Sequence, residues 1–390
     1  MFDLAIVGSG ILGTGAAYHA VRGGKSVLLC ESGAYANAAT VRNFGQIVPS
    51  GQSLQGWRQL GMRTLAHYLA LKEHADIPVV QRGSLYVASD QEEATLLEEM
   101  HAINRQTGYT SNLLTARECL ARMPELQPNY VVAGLFYPQE LSCDSPRLIP
   151  AILRWLQLHS DFSYRPNTLI AQVDETDGAC TLTTARGEVL RARRVLVCCG
   201  HFLNRLFPET LLAAGLKISK LQMMCTKPLP GIDLGSNVLT GLTIRRYEAF
   251  EACASHAKLS RRPEHQEYRD QGIHILFKQN ADGSIIVGDS HEYCGTDRID
   301  SLDYGIDSRI NELIVREAQR ILNLPDWTMA RYWNGYYSQH ERHIYMKSIT
   351  PAIHVVTGIG GKGMSTGLGL METVTTTLLS GAPLDSIVIG

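Results

Sequence analysis

Phe2-Asp3-Leu4-Ala5-Ile6-Val7-Gly8-Ser9-Gly10-Ile11-Leu12-Gly13 opens the chain, and this stretch decides the fold. Residues 2–7 form an apolar run of strand length that enters a glycine-rich turn directly. Residues 14–22 are rich in small side chains and predict a helix; residues 26–30 predict a second buried strand, followed by Glu31. Each glycine of the G-x-G-x-x-G pattern has its own task. Gly8 permits the tight turn, Gly10 admits a pyrophosphate to the backbone, and Gly13 lets helix and strand pack closely. Unpaired N–H groups at the helix start, around Ile11 and Leu12, then face the phosphates. Glu31 follows Gly13 by 18 residues, where a carboxylate can accept hydrogen bonds from a ribose diol. The unit predicts a dinucleotide site, with NAD and FAD both open at this point.

The bulk composition narrows the classes further. With 390 residues the chain is long enough for two domains. A composition of 45% hydrophobic and 19% charged residues is globular and excludes a disordered chain. A net charge of −2 gives no pull toward nucleic acid or an anionic membrane. No run reaches the roughly eighteen apolar residues of a membrane span. No basic segment, apolar stretch and cleavage site precede the first strand, so a cleaved export signal is not expected. The nine cysteines contain no CxxC pair and are odd in number. They read as small buried hydrophobes in a reducing compartment, and a cytoplasmic protein is expected. His340 and His343 lie three apart but lack cysteine or HExxH context, so no metal is expected.

Along the chain, residues 33–53 are too rich in Gly, Ala, Asn and Ser for a regular element and predict a long loop over the ligand. Helices are expected over residues 54–74, 90–107 and 147–159, and a strand over Gly83-Ser84-Leu85-Tyr86-Val87-Ala88. Residues 194–200 and 352–358 are continuous apolar runs ending on glycine, the pattern of buried parallel strands. The second leads into a glycine-rich turn and a helix from about residue 367 to 379. Residues 217–330 alternate in the manner of an antiparallel sheet, as in Ile273-His274-Ile275-Leu276-Phe277 and Ser284-Ile285-Ile286-Val287. The expected fold is α/β (α+β overall). A Rossmann-like nucleotide-binding domain is drawn from residues 1–85, 142–216 and 331–390. A second domain on a mostly antiparallel sheet is drawn from residues 86–141 and 217–330.

The whole chain resembles the D-amino-acid oxidase, glycine oxidase and sarcosine oxidase family of FAD-dependent amine oxidoreductases. The likeness rests on the opening fingerprint, residues 83–88, Cys198-Cys199-Gly200, Arg331-Tyr332-Trp333-Asn334-Gly335 and Gly358-Ile359-Gly360-Gly361-Lys362-Gly363-Met364-Ser365. Thr40-Val41-Arg42-Asn43-Phe44-Gly45 and Gly288-Asp289-Ser290-His291-Glu292-Tyr293 look like a narrower branch linked to breakdown of aminophosphonates. The resemblance implies FAD, with its ADP half on Gly8, Gly10, Ile11, Leu12, Gly13, Glu31 and Ser32. The loop of Ala39, Thr40, Arg42, Asn43, Phe44 and Gly45 would contact the pyrophosphate and flavin ring. Val173 would bracket the adenine through its backbone, and Cys199 and Gly200 would lie by the ribityl phosphate. Gly335 would approach the flavin, and Gly360, Gly361, Lys362, Gly363 and Met364 would lie at its pyrimidine edge. There the following helix N-terminus stabilises charge on the reduced ring. Sarcosine oxidases tether FAD through a late cysteine, but none follows Cys294, so non-covalent FAD is expected. Tyr337 stands where many amino-acid oxidases carry a carboxylate-gripping arginine, which argues against an ordinary α-amino acid.

Oxidising an amine with flavin needs positioning and electrostatics more than a catalytic triad. The expected reaction breaks a C–H bond of a small anionic amine by hydride transfer to flavin N5, followed by imine hydrolysis. An aminophosphonate or its N-methylated form is favoured. The alternatives are a D-amino-acid, glycine or sarcosine-type oxidase or dehydrogenase, an NAD(P)-dependent dehydrogenase, and a non-catalytic FAD-binding protein. Substrate contacts are expected from Arg42, Gln46, Tyr293, Tyr337 and His340, and catalytic roles from Lys278, His291, Tyr337 and Lys362. An Arg42 fork suits a phosphonate or carboxylate, or equally the FAD pyrophosphate. Lys362 would meet the substrate anion or face solvent. Lys278 would sit over the flavin and assist oxygen chemistry, or lie exposed at a strand end. His291, titrating near neutrality, would take the ammonium proton or serve as a structural histidine.

Overall fold

Phe2–Val7 lies in the parallel centre of an eight-stranded mixed sheet whose flanking pairs, such as Ile170–Thr176 with Ala179–Thr184, are antiparallel, in a computed structural model that describes residues 1–389. Val27–Cys30 pairs with it on one side and Val189–Val197 on the other. Phe162–Arg165 extends the sheet beyond the first neighbour, and Ile353–Thr357 beyond the second. Leu4, Ile6, Leu196 and Val355 have no exposed surface. Both faces are covered, which is why these strands read as apolar runs with no alternation. Ile11–Arg22, Trp57–His74 and Gly363–Ser380 cover one face and pack on one another through small residues. A Cβ at Gly369 would stand 2.2 Å from the Leu60 carbonyl oxygen, so only glycine allows that approach. On the other face Leu203, Leu206 and Leu211 pack against Val195, Val197 and Val355. Truncating a fully buried leucine such as Leu196 to alanine costs about 2–5 kcal/mol.

The second sheet is built around Lys217–Thr226 and Met329–Gln339, which run antiparallel from the Lys217–Gln339 pair to the Thr226–Met329 pair. Ile285–Gly288, Leu276–Gln279, Asn237–Leu239, Ser84–Ala88, Ala133–Tyr137 and Asn112–Thr115 follow in that order, and Glu292–Gly295 pairs with the other end of Lys217–Thr226. All neighbours are antiparallel except Asn237–Leu239 beside Ser84–Ala88. Ser308–Ile321 lays Ile310, Leu313, Ile314, Ala318 and Ile321 on this sheet, a helical period of three and four. Gln91–Thr107, capped by Asp90, is pinned by Arg245. That guanidinium lies 2.6 Å from Glu93, 2.8 Å from Asp90 and 2.9 Å from Glu92.

The architecture is the expected α/β fold with a second, mostly antiparallel sheet. Several boundaries differ. Met329–Gln339 pairs along its length with Lys217–Thr226, so the boundary expected at 331 falls inside a strand of the second sheet. The closing helix starts at Gly363, four residues earlier than expected, and Gly360–Lys362 before it form a short turn of 3-10 helix. Residues 33–53 contain short turns of helix and the two-residue strand Gln46–Ile47, paired with Leu141–Cys143. Strand pairing begins at Leu276, three residues later than expected.

Candidate active site

Two cavities meet between the sheets. The larger, of about 710 Å³, begins at the opening turn. Gly8 has φ +101°, and a Cβ there would lie 2.4 Å from the Cys198 carbonyl oxygen. A Cβ on Gly13 would lie 1.9 Å from the Gly8 carbonyl oxygen, so the strand–helix contact requires both glycines. The Ile11 N–H donates to Thr40 Oγ1 at 3.0 Å, which ties the 33–53 loop to the helix N-terminus. Glu31 ends the neighbouring strand in the same wall, where its carboxylate accepts from the Ser9 N–H at 3.0 Å and the Gly33 N–H at 2.9 Å.

The smaller cavity, of about 250 Å³, shares Asn43, Tyr337, Gly358, Ile359, Gly360, Gly361 and Met364 with the larger one. Gly363–Ser380 opens at this shared wall, so the unpaired N–H groups and positive end of its dipole lie there. Charged and titratable side chains line the rest: Arg246, Glu248, His274, Asp289, His291, His340, His343 and Lys362. Lys362 Nζ stands 2.7 Å from both oxygens of Glu248 and 5.6 Å from the Trp57 ring centre. Burial pulls the Lys362 ammonium below its ordinary pKa, and Glu248 opposes the shift. Tyr337 is buried between the cavities, and desolvation raises its phenol.

The expected residues sort clearly. Gly8, Gly10, Ile11, Leu12, Gly13, Glu31, Ser32, Ala39, Thr40, Asn43, Cys199, Gly200, Gly360, Gly361, Gly363 and Met364 line the larger cavity. Phe44, Gly45, Gln46, His291, His340 and Lys362 line the smaller, and Tyr337 lines both. Burial pushes the Cys199 thiol up to about 11 and the Cys198 thiol higher still, so both stay protonated beside the larger cavity.

Five residues lie outside both cavities. Val173 pairs with Leu182 and packs in the core; the chain reaches the cavity three residues earlier, at Ile170 and Ala171. Arg42 spends its guanidinium on the Asn37 carbonyl at 2.7 Å and the Asn334 carbonyl at 3.3 Å, clamping the loop to the second sheet. Gly335 serves that clamp, since a Cβ would lie 3.1 Å from the Arg42 oxygen. Lys278 is neither over the cavities nor exposed: it is buried, and its Nζ donates to Asn280 Oδ1 at 2.8 Å. Tyr293 is 49% exposed, its hydroxyl taken by Arg246 at the surface. Of the two readings of Lys362 the structure takes the one in the site wall, its side chain being 14% exposed. One further expectation changes. His291 does not titrate near neutrality, because burial drives its pKa down to about 3.

Sequence reasoning assigned no role to Asp289, His274, Arg246 or Glu248. Asp289 belongs to the 288–293 motif, but nothing local linked residues 246–248 or 274 to it. Folding also gathers two groups of three metal-competent side chains, His19 with His67 and Glu372, and His274 with Asp289 and His291. Neither has a ligand spacing readable along the chain.

The family model described as FAD dependent oxidoreductase matches residues 3–376. An opine oxidase subunit from Rhizobium meliloti is 23% identical over 364 residues, covering 87% of this chain and 86% of that protein. N-methyl-L-tryptophan oxidase of Escherichia coli is 26% identical over 227 residues, covering 53% of this chain and 56% of that protein. Among solved structures, glycine oxidase from Geobacillus kaustophilus superposes with a TM-score of 0.77 at 17% identity, over 98% of this chain and 95% of that one. Iminodiacetate oxidase from Chelativorans sp. BNC1 gives 0.74 at 19% identity, over 98% and 97%. At that identity the structures establish a shared fold, while the family match spans nearly every residue from the opening turn to the closing helix. The chain therefore belongs to the family of FAD-dependent oxidoreductases.

Proposed function

We propose that the chain oxidises the C–N bond of a small anionic amine, with FAD in the larger cavity and the amine in the smaller. The observation that carries this reading is the shared wall: one face of residues 358–364 lines a dinucleotide-sized cavity and the other a small charged one. The residues fit the cofactor. A Cβ on Gly361 would meet nothing nearer than Tyr337 at 3.9 Å, so this backbone is left bare toward the cavity. Gly8, Gly10 and Gly13 with the Ile11–Arg22 N-terminus would hold the pyrophosphate, and Glu31 the ribose. Bound flavin supplies a two-electron acceptor, and the Gly363–Ser380 N-terminus favours negative charge beside it. The protein's remaining tasks are to orient the amine and to keep its surroundings dry.

The amine is supported by the relatives' names, since opine, N-methyltryptophan, glycine and iminodiacetate are all C–N donors. The anion is supported by Arg246, which makes no ion pair among the described residues and donates to the Gly272 carbonyl and the Tyr293 hydroxyl. Its fork suits a phosphonate or a carboxylate. An aminophosphonate is the finer proposal, resting on the likeness of residues 40–45 and 288–293 to the aminophosphonate branch. A glycine- or sarcosine-type substrate is the second reading, favoured by the glycine oxidase and iminodiacetate oxidase folds. Anaerobic mixing of the flavin-loaded protein with aminophosphonates, N-methyl amines, glycine and sarcosine tests both. Bleaching of the flavin by a phosphonate-bearing amine is expected. Bleaching by glycine or sarcosine with no response to phosphonates removes the finer proposal, and no bleaching by any amine sinks the oxidation itself.

A further inference from the structure

We propose that Asp289 is the receptor for the substrate's nitrogen: its carboxylate binds the ammonium group, and the anionic end is left to Arg246 and Lys362. The proposal rests on the smaller cavity being the substrate site and adds which atom receives which end.

Asp289 is 4% exposed and lines that cavity. Its backbone exchanges two hydrogen bonds with His274, at 3.1 and 2.9 Å, so the two residues stand directly opposite each other. His274 Nε2 comes within 2.8 Å of Asp289 Oδ1, and His291 Nδ1 within 3.8 Å. Neither contact has the alignment of a hydrogen bond, and Oδ1 is left with no hydrogen-bond partner. A buried charged oxygen without a partner is costly. Oδ1 itself is sealed beneath the two rings, so it is the carboxylate as a whole, lining the cavity without a lysine or arginine ion pair among the described residues, that an entering cation would complete.

The surroundings specify a cation. The His274 and His291 rings stack with centres 5.4 Å apart, and His291 Nδ1 lies 3.2 Å from the Gly272 carbonyl oxygen. Burial lowers both imidazoles, so they remain neutral at ordinary pH and cannot balance the carboxylate. Burial pushes the Asp289 carboxyl up and Arg246, the charged group facing it, pulls it down, with the net below its ordinary value. Tyr247 and Tyr337 are the other titratable groups facing it, and both phenols are raised and neutral. An ammonium group supplies the missing charge and two or three donors.

The test compares aminoethylphosphonate with ethylphosphonate, which lacks the amine, by the flavin difference spectrum of the loaded enzyme. The wild type is expected to bind the amine tenfold tighter or better, since a charge-assisted hydrogen bond contributes about 1.5–3 kcal/mol and about 1.4 kcal/mol is tenfold. That preference should disappear as pH rises through the amine's own pKa. Asp289→Asn is expected to abolish the preference and its pH dependence, with ethylphosphonate bound at least as tightly as by the wild type because a negative charge is removed from the cavity. Equal affinity of the wild type for the two phosphonates overturns the proposal even where the variant does not fold. An unchanged preference in Asp289→Asn overturns it as well, as does a stoichiometric divalent metal that is lost in that variant. The preference without bleaching by any amine would sink the oxidation reading and leave the ammonium site standing. Bleaching without the preference would do the reverse.

Discussion

His19 makes the fold sensitive to acid in a way that one substitution can isolate. The ring sits between Ile11–Arg22 and Gly363–Ser380, with Nε2 2.8 Å from the Leu368 carbonyl oxygen and the His67 ring edge-on at 4.6 Å. Burial, with the neighbouring His67 adding to it, lowers its pKa from 6.5 to about 4. Below pH 6.5 the unfolded chain therefore takes up a proton that the folded chain refuses. Stability from this residue is intact above 6.5, falls as pH drops, and levels off near 4. One and a half pH units at about 1.36 kcal/mol each give a loss of roughly 2 kcal/mol at pH 5. His19→Gln keeps an N–H for the Leu368 carbonyl and removes the titration. Urea unfolding of both proteins at pH 7 and pH 5, followed by tryptophan fluorescence, gives the comparison. Other acid-sensitive groups, including His201 and the buried Glu93, Glu140 and Glu317, contribute equally to both proteins and cancel. The variant should lose about 2 kcal/mol less than the wild type between the two pH values. Equal losses in the two proteins would refute the reasoning.

Gly361→Val should fold but lose flavin, because the side chain would enter the bare part of the larger cavity. The ratio of flavin to protein absorbance after purification measures this, and full occupancy would show that the wall faces something else. Lys362→Met should weaken ethylphosphonate binding by about tenfold if its ammonium shares the anion. An unchanged titration would assign the anion to Arg246 alone. Arg245→Met leaves the fully buried Glu93 carboxylate without its cation and should cost about 3–5 kcal/mol in urea unfolding. A cost under about 1 kcal/mol would mean that the Ser89 contacts suffice for Glu93.

The parts of the site legible in the sequence are those in which a backbone requirement dictates residue type. Gly8 and Gly13 could be read because a tight turn and a close helix each demand glycine at a fixed offset, and the same spacing marked Glu31 as a carboxylate in the cavity wall. The bare Gly361 backbone, and the positive φ and close Gln339 contact of Gly360, could be read for the same reason. Val173 was misplaced because an extended segment carries no mark of the residue at which it meets a ligand. The structure puts that meeting at Ile170 and Ala171, next to the bulge in the hairpin register. Arg42 and Lys278 show the limit for cations. Each interrupts a promising stretch, yet one is spent on carbonyls and the other on an asparagine. The facing of Asp289 by His274 was illegible, since it arises from strand register between segments fifteen residues apart.

The central strand, Phe2–Val7, has its two edges filled by segments made at very different times. Val27–Cys30 follows it off the ribosome almost at once, but Val189–Val197 emerges far later, and Ile353–Thr357 and the closing turn come last. Until then an apolar strand edge waits unpaired, the condition under which nascent chains aggregate or recruit chaperones. The larger cavity takes part of its wall from residues 358–364, so it cannot close before that segment has joined the sheet. A chain stopped short of residue 358 would carry the whole opening fingerprint and still lack that wall.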